Sequence, residues 1–106
     1  MPVTIEVKNG EVKAILQGEI DHHNAASMRK NIDESVERLR PKRLKLDFGE
    51  VTFMDSSGIG LVMGRYNTMS LIGGDVEINN PSASIEKIFN LSGISKIAKI
   101  CSDKEE

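Results

Sequence analysis

Val3, Ile5 and Val7 alternate with Thr4, Glu6 and Lys8, the period of two that marks a strand with one covered face. Asn9-Gly10 comes next, before a second apolar run from Val12 to Leu16, and this spacing predicts a β-hairpin closed by a tight turn. Gly18 is expected to end the second strand, and Asp21 or Asn24 to cap a helix by accepting its unpaired backbone N–H groups. Ala25, Met28, Ile32, Val36 and Leu39 then recur every three or four residues, which puts them on one helical stripe. Arg29, Lys30, Asp33, Glu34, Glu37 and Arg38 fall on the water side, and Pro41 stops the helix.

Arg43 to Phe48 returns to period two with Leu44, Leu46 and Phe48 as the apolar face, and Gly49-Glu50 predicts a break. Val51 to Met54 leads into Asp55-Ser56-Ser57-Gly58, residues whose short side chains bond nearby backbone and favour caps and turns. From Ile59 to about Leu71 the chain is apolar on most sides, so this second helix is expected to lie against a sheet until Gly73-Gly74 ends it. Asp75 to Ile78 predicts a short strand. Pro81 suits the first turn of a third helix, where a missing N–H costs nothing, and Ile85, Ile88, Phe89 and Leu91 form its apolar side as far as Gly93. Ile94, Ile97, Ala98 and Ile100 fit either a final edge strand or a last helical turn, and an acidic tail with Asp103, Glu105 and Glu106 is expected to fray.

Strands joined through helices run parallel, and the hairpin adds one antiparallel pair. The expectation is an α/β fold, a mixed sheet of four or five strands with helices packed mainly on one side, forming a single domain over residues 1–106. A chain of 106 residues can bury roughly 60 to 70 per cent of its unfolded surface, enough for a core without metal or disulfide staples. Cys101 is the one thiol, so no internal disulfide can form and a reducing, cytoplasmic setting is the default. The 14 basic and 16 acidic residues leave a net charge of -2, and with no Trp and one Tyr there is neither a basic stripe for phosphates nor a stacking platform for bases. Nucleic acid is therefore excluded as a first expectation. No charge-free run approaches the roughly 20 residues needed to cross a bilayer, and Met-Pro-Val-Thr-Ile-Glu does not read as a signal peptide.

The most concentrated polar site is Asp55-Ser56-Ser57-Gly58 at a strand-to-helix junction. A helix amino terminus carries unpaired N–H groups and a positive dipole end, so these residues read either as plain helix caps or as a place where an added phosphate finds donors. Enzyme motifs do not fit. A nucleophile elbow needs glycine two positions either side of the serine, whereas Met54 precedes Ser56 and Asp55 precedes Ser57. Gly58-Ile59-Gly60-Leu61-Val62-Met63-Gly64 places its last glycine one residue late for a dinucleotide fingerprint, and no phosphate-cradling Walker sequence exists. Gly60 and Gly64 read instead as small residues that let the helix approach the sheet, each at a cost of roughly 1 kcal/mol in helix propensity. His22 and His23 are adjacent and diverge on a helix, so no metal site is expected, and Cys101 lacks a histidine partner. Ser57, Leu61, Arg65 and Thr68 share a stripe on the second helix; Leu61 on it is either core or an exposed docking residue.

Phe53-Met54-Asp55-Ser56-Ser57-Gly58-Ile59-Gly60-Leu61-Val62-Met63-Gly64-Arg65-Tyr66, together with Gly18-Glu19-Ile20-Asp21-His22-His23-Asn24-Ala25, closely resembles the anti-sigma factor antagonists, whose fold is the STAS domain. The likeness runs from the hairpin to Gly93-Ile94 and is nearest the sporulation anti-anti-sigma branch of spore-forming bacteria, although the tail after Ile100 is shorter. The resemblance implies a regulator without catalytic activity and without a cofactor. Its unphosphorylated form would bind an anti-sigma factor that is also a serine kinase, Mg-ATP being held by that partner, and so release the sigma factor. The resemblance implies Ser56, directly after the motif aspartate Asp55, as the phosphorylated serine, a serine phosphatase as the enzyme that reverses it, Asp21 as a contact to the kinase, and Ser57 and Gly58 as its neighbours in the docking surface; the helical stripe adds Leu61 and Arg65, and proximity adds Asp55, as further candidate partner-binding residues. A phosphate on Ser56 adds about -1.5 to -2 charge beside Asp55. The expected switch is electrostatic and steric, with the helix amino terminus accommodating the phosphate and the fold unchanged.

Two other readings compete: a STAS module of a general stress-response or stressosome-type circuit, and a small nucleotide-binding hydrolase using Ser56, which lacks a base and an orienting acid at any recognisable spacing.

Overall fold

The computed structural model describes residues 2–103. The elements run β1 (Val3–Lys8), β2 (Glu11–Ile20), α1 (His22–Leu39), β3 (Arg43–Met54), α2 (Ser57–Leu71), β4 (Asp75–Asn79), α3 (Ala83–Ser92) and β5 (Lys99–Cys101), with a short 3-10 turn at Ile94–Lys96 before the last strand. The five strands lie side by side in chain order; β1 and β2 are antiparallel and every later pair is parallel. Asn9 at φ 54 and Gly10 at φ 79 make the hairpin turn, the left-handed pair that matches the twist of its strands. The residues from Ile94 onward satisfy both expectations at once, a tight helical turn followed by an edge strand.

Alternation along the strands gives the sheet two unlike faces. Val12, Ala14, Leu16, Leu44, Leu46, Phe48, Val76 and Ile78 are buried under the helices, joined there by Met28, Ile32 and Val36 of α1, Val62 and Met69 of α2 and Phe89 of α3. Phe48 and Phe89 meet edge to face with ring centres 5.1 Å apart, the favoured arrangement for aromatic quadrupoles. The opposite face carries charge in rows set by strand register, with Glu11 beside Arg43 and Arg43 beside Asp75. Arg43 reaches Asp75 at 2.8 Å, Glu77 at 3.5 Å and Glu11 at 3.8 Å, and Lys45 reaches Glu11 at 3.3 Å. The hydrogen bond from Arg43 holds the Asp75 carboxyl below its ordinary range. A carboxylate with a lowered folded-state pKa stabilises the fold above its unfolded value and loses that contribution as pH falls through the folded one. Arg43→Gln is expected to lower stability at pH 7 by no more than about 1 kcal/mol, and urea midpoints of variant and parent are expected to converge as pH falls below the ordinary aspartate range.

Several expectations change. β2 continues past Gly18 to Ile20, with Gly18 at φ 85 where the β2–β3 register shifts. β3 is one strand of 12 residues, and Gly49-Glu50 is a bulge within it. Ile15 and Gln17 face Asp47 and Glu50, and Gly18 and Glu19 face Val51 and Phe53, so β3 twice holds one residue more than β2. Asp47 Oδ1 accepts the Gly49 N–H at 2.8 Å, which replaces a bond lost from the ladder. Pro81 precedes the Ser82 cap instead of opening the helix, and Ser82 accepts the Ile85 N–H. Leu39, Leu71 and Leu91 face solvent at helix ends. Asp103 is pinned: its N–H donates to Asn80 Oδ1 at 2.7 Å and its carboxylate accepts from Asn80 and Lys13. Glu105 and Glu106 lie outside the described residues.

Candidate functional site

Parallel pairing of β2 with β3 places Ile20 opposite Met54, so the two segments that follow, Asp21-His22 and Asp55-Ser56-Ser57, leave the same end of the sheet side by side. The Asp55 N–H donates to the Ile20 carbonyl at 3.1 Å and ties one junction to the other. Two motifs more than 30 residues apart in the chain thus become one surface, at the strand carboxyl ends where α/β sheets commonly bind ligands.

Each junction is capped by its aspartate. Asp21 Oδ1 accepts the Asn24 N–H at 2.8 Å and Asp55 Oδ1 accepts the Ser57 N–H at 2.8 Å. Ser56 stands at the cap position of α2, yet its hydroxyl makes no capping bond and the residue is exposed. The capping and chemical readings of this stretch are therefore divided between neighbours: Asp55 caps, and the Ser56 hydroxyl faces water. Backbone bonds from Gly58 to Asp55 and from Ile59 to Ser56 occupy the next N–H groups, and Gly60 N–H points to the Ser56 carbonyl at 3.4 Å. Of the donors expected for a phosphate at the α2 amino terminus, the N–H groups of Ser57, Gly58, Ile59 and Gly60 are already engaged, by Asp55 and by the first helical turn.

Gly58 is buried, and a Cβ there would overlap the Met54 side chain, so the start of α2 lies directly on the end of β3. Gly60 and Gly64 differ. A Cβ at either would meet nothing within 4 Å, so they do not bring the helix onto the sheet and instead leave a low outer surface beyond Ser56. This corrects the close-approach reading of those two residues.

The docking role expected for Leu61 and Arg65 is also corrected, because their stripe turns inward against α1. Leu61 is 2% exposed and Arg65 6% exposed, so neither side chain is available to a partner in this structure. Arg65 Nε lies 2.9 Å from Asp33 Oδ1, an ion pair that joins α2 to α1. Its alignment is poor: Asp33 Oδ1 and Arg65 Nε and Nη1 have no hydrogen-bond partner in the protein. Burial pulls the Arg65 pKa down and Asp33 only partly restores it, while Arg29 adds to the depression. Asp21, Asp55 and Ser57 are half-buried beside exposed Ser56.

Sequence reasoning passed over Arg29. It lines a depression of about 340 Å³ between α1 and α2, together with His22, Ala25, Ala26, Ser57, Gly60 and Leu61. The seven-residue spacing from His22 to Arg29, two helical turns, was the available signal. Phe53, 51% exposed at the end of β3, is the other unexpected residue near the site. No cluster of three or more histidine, cysteine or acidic residues suited to a metal occurs among the described residues.

Residues 3–106 match the STAS domain model. The chain belongs to the STAS domain family. It is 30% identical over 100 residues to an anti-sigma F factor antagonist of Paenibacillus polymyxa, covering 94% of this chain and 86% of that protein. An anti-sigma-B factor antagonist of Bacillus subtilis is 27% identical over 107 residues, covering 99% of this chain and 96% of the relative. Among solved structures, the anti-sigma factor antagonist SpoIIAA in its unphosphorylated form superposes with a TM-score of 0.82 at 29% identity, covering 95% of this chain and 89% of the other. The phosphorylated form of the Bacillus cell fate determinant SpoIIAA gives 0.74 at 30% identity, over 95% of this chain and 92% of the other. The five-stranded mixed sheet with three α-helices is thus the SpoIIAA-like STAS fold, and the relatives of this STAS domain are regulators of sigma-factor control.

Proposed function

We propose that this STAS domain is a phosphorylation-switched antagonist of an anti-sigma factor. The observation that carries the reading is Ser56, an exposed hydroxyl relieved of capping duty by Asp55, in a fold shared with a protein described in both unphosphorylated and phosphorylated forms. The unphosphorylated protein binds an anti-sigma factor serine kinase through the edge built from Asp21, Asp55, Ser56, Ser57 and Gly58, and the sigma factor is released. The kinase brings Mg-ATP. The Ser56 oxygen forms a bond to the γ-phosphorus, ADP departs with the bridging oxygen, and the hydroxyl proton passes to a base on the partner. A serine phosphatase hydrolyses the ester and resets the switch.

The chain is then no enzyme, and its place is the cytoplasm with its partners. Sporulation control is favoured over a stress-response circuit, since the motif pairing Asp21-His22-His23 with Asp55-Ser56-Ser57 resembles that branch. Phosphorylation disrupts docking because a surface shaped for a neutral hydroxyl must desolvate a near-dianion next to Asp55. The expected loss is at least tenfold, which corresponds to about 1.4 kcal/mol.

The test mixes the protein with a candidate anti-sigma kinase and Mg-ATP, followed by peptide mapping and a binding titration. Phosphate is expected on Ser56, none is expected in Ser56→Ala, and Ser56→Ala is expected still to bind. Phosphate on Ser57, or unaltered affinity after stoichiometric modification of Ser56, sinks the reading.

A further inference from the structure

Four backbone N–H groups at the amino terminus of α2, those of Ser57 to Gly60, are already engaged within the chain. Asp55 Oδ1 holds the Ser57 N–H, the Asp55 carbonyl holds Gly58, and the Ser56 carbonyl takes Ile59 and Gly60. A phosphoryl group at this junction therefore needs its counter-charge from side chains. Next to Ser56 lies the depression between α1 and α2, bordered by Ser57 and by Gly60, the residue one turn beyond Ser56. His22, at the first position of α1, and Arg29, two turns further on, line its α1 wall. No carboxylate lines it. Gly60 has no side chain to block the path from Ser56 into it, and a Cβ there would meet nothing within 4 Å.

The charges around the depression differ in how far they are committed. Asp21 caps α1, Asp55 caps α2, and Asp33 faces buried Arg65. Arg29 is exposed and forms no ion pair or hydrogen bond among the described residues, and its charge reaches Arg65 across the groove. His23 is exposed on the same first turn of α1. Arg29 is thus the nearby guanidinium with no acidic partner, on a long stem that can swing over Gly60.

We propose that the phosphoryl group on Ser56 is held within this chain by Arg29, with His22 as second donor, across the α1–α2 depression and not by the α2 amino terminus. The proposal rests on Ser56 being the modified residue. Its consequence is a phosphorylated state that turns the ester toward α1, so that the docking edge loses its exposed hydroxyl and gains a bridged Arg29. A guanidinium and phosphate pair well because the planar fork meets two phosphate oxygens.

Phosphoserine installed at position 56 by genetic code expansion tests this without the kinase, so failure of the partner-switching reading and failure of the phosphate seat are read separately. Phosphorus NMR then follows the second ionisation of the phosphate in the parent, in Arg29→Ala, in Arg29→Lys, in His22→Ala and in the control Arg38→Ala. Arg38 is an exposed arginine in the last turn of α1, far along the helix from the site. The parent is expected to titrate below the ordinary value of about 6, because a cation beside the dianion favours it. Arg29→Ala is expected to raise that midpoint by about 0.5 or more, Arg29→Lys to restore part of it, and Arg38→Ala to leave it in place. A midpoint in Arg29→Ala equal to the parent, or a shift no larger than that of Arg38→Ala, overturns the proposal.

Discussion

Phe89→Ala is expected to lower the unfolding free energy by about 3 to 5 kcal/mol, a large part of the roughly 5 to 15 kcal/mol that holds a domain of this size together. Phe89 has no exposed surface, and its ring meets Phe48 of β3 edge to face. Deleting the ring removes buried apolar area, one aromatic pair and the main anchor of α3, whose other buried side chain is Ile85. The cost should be high because neighbours from the sheet are locked by strand pairing and cannot collapse into the space. Urea unfolding followed by circular dichroism measures it, and a loss under 1 kcal/mol would show that α3 is not part of the cooperative core.

The second large effect lies behind the candidate site. Asp33→Ala leaves Arg65 as a buried guanidinium without a counter-charge, and it is expected to cost about 2 kcal/mol. The figure falls below the roughly 3 to 5 kcal/mol of fully enclosed pairs because the Asp33 side chain is 39% exposed and water can partly replace it. The double replacement Asp33→Leu with Arg65→Met is expected to recover most or all of that loss, since the pair is poorly aligned and its desolvation is only partly offset. Thermal denaturation of both variants decides the matter. A double variant as unstable as Asp33→Ala would mean that the guanidinium stem packs irreplaceably between the helices.

Much of the architecture was open to reading before any coordinates. Period two in Val3 to Val7 and in Leu44 to Phe48, period 3.6 in Ala25 to Val36, and Asn9-Gly10 with Gly93 at left-handed positions each state a local preference that the fold obeys. The errors cluster where a preference met a tertiary demand. Gly49-Glu50 looks like a strand end, but β2 goes on pairing with β3 beyond it as far as Met54, so an extra residue is absorbed as a bulge. Asp103 looks like part of a loose tail until Asn80 and Lys13, distant in the chain, supply its partners.

The candidate site divides in the same way. Asp55-Ser56-Ser57-Gly58 and Asp21 were visible as cap-forming residues at strand-to-helix junctions, because capping chemistry is local and short-range spacing encodes it. Which stripe of α2 faces water was not visible, since its apolar residues surround it on most sides and periodicity has no direction to point. Packing against α1 decided that question, turning Leu61 and Arg65 inward and leaving Ser56, Gly60 and Gly64 outside.

By itself, the order of residues determined the elements, the caps and a serine beside an aspartate, all of them consequences of backbone geometry and side-chain reach within a few positions. Only the tertiary structure decided that Asp21 and Ser56 share one edge, that Asp55 rather than Ser56 closes the helix, and that Arg29 lines a groove with Ser57 and Gly60. Those relations depend on the parallel pairing of β2 with β3 and the packing of α1 on α2, contacts between segments whose separation along the chain leaves no local trace.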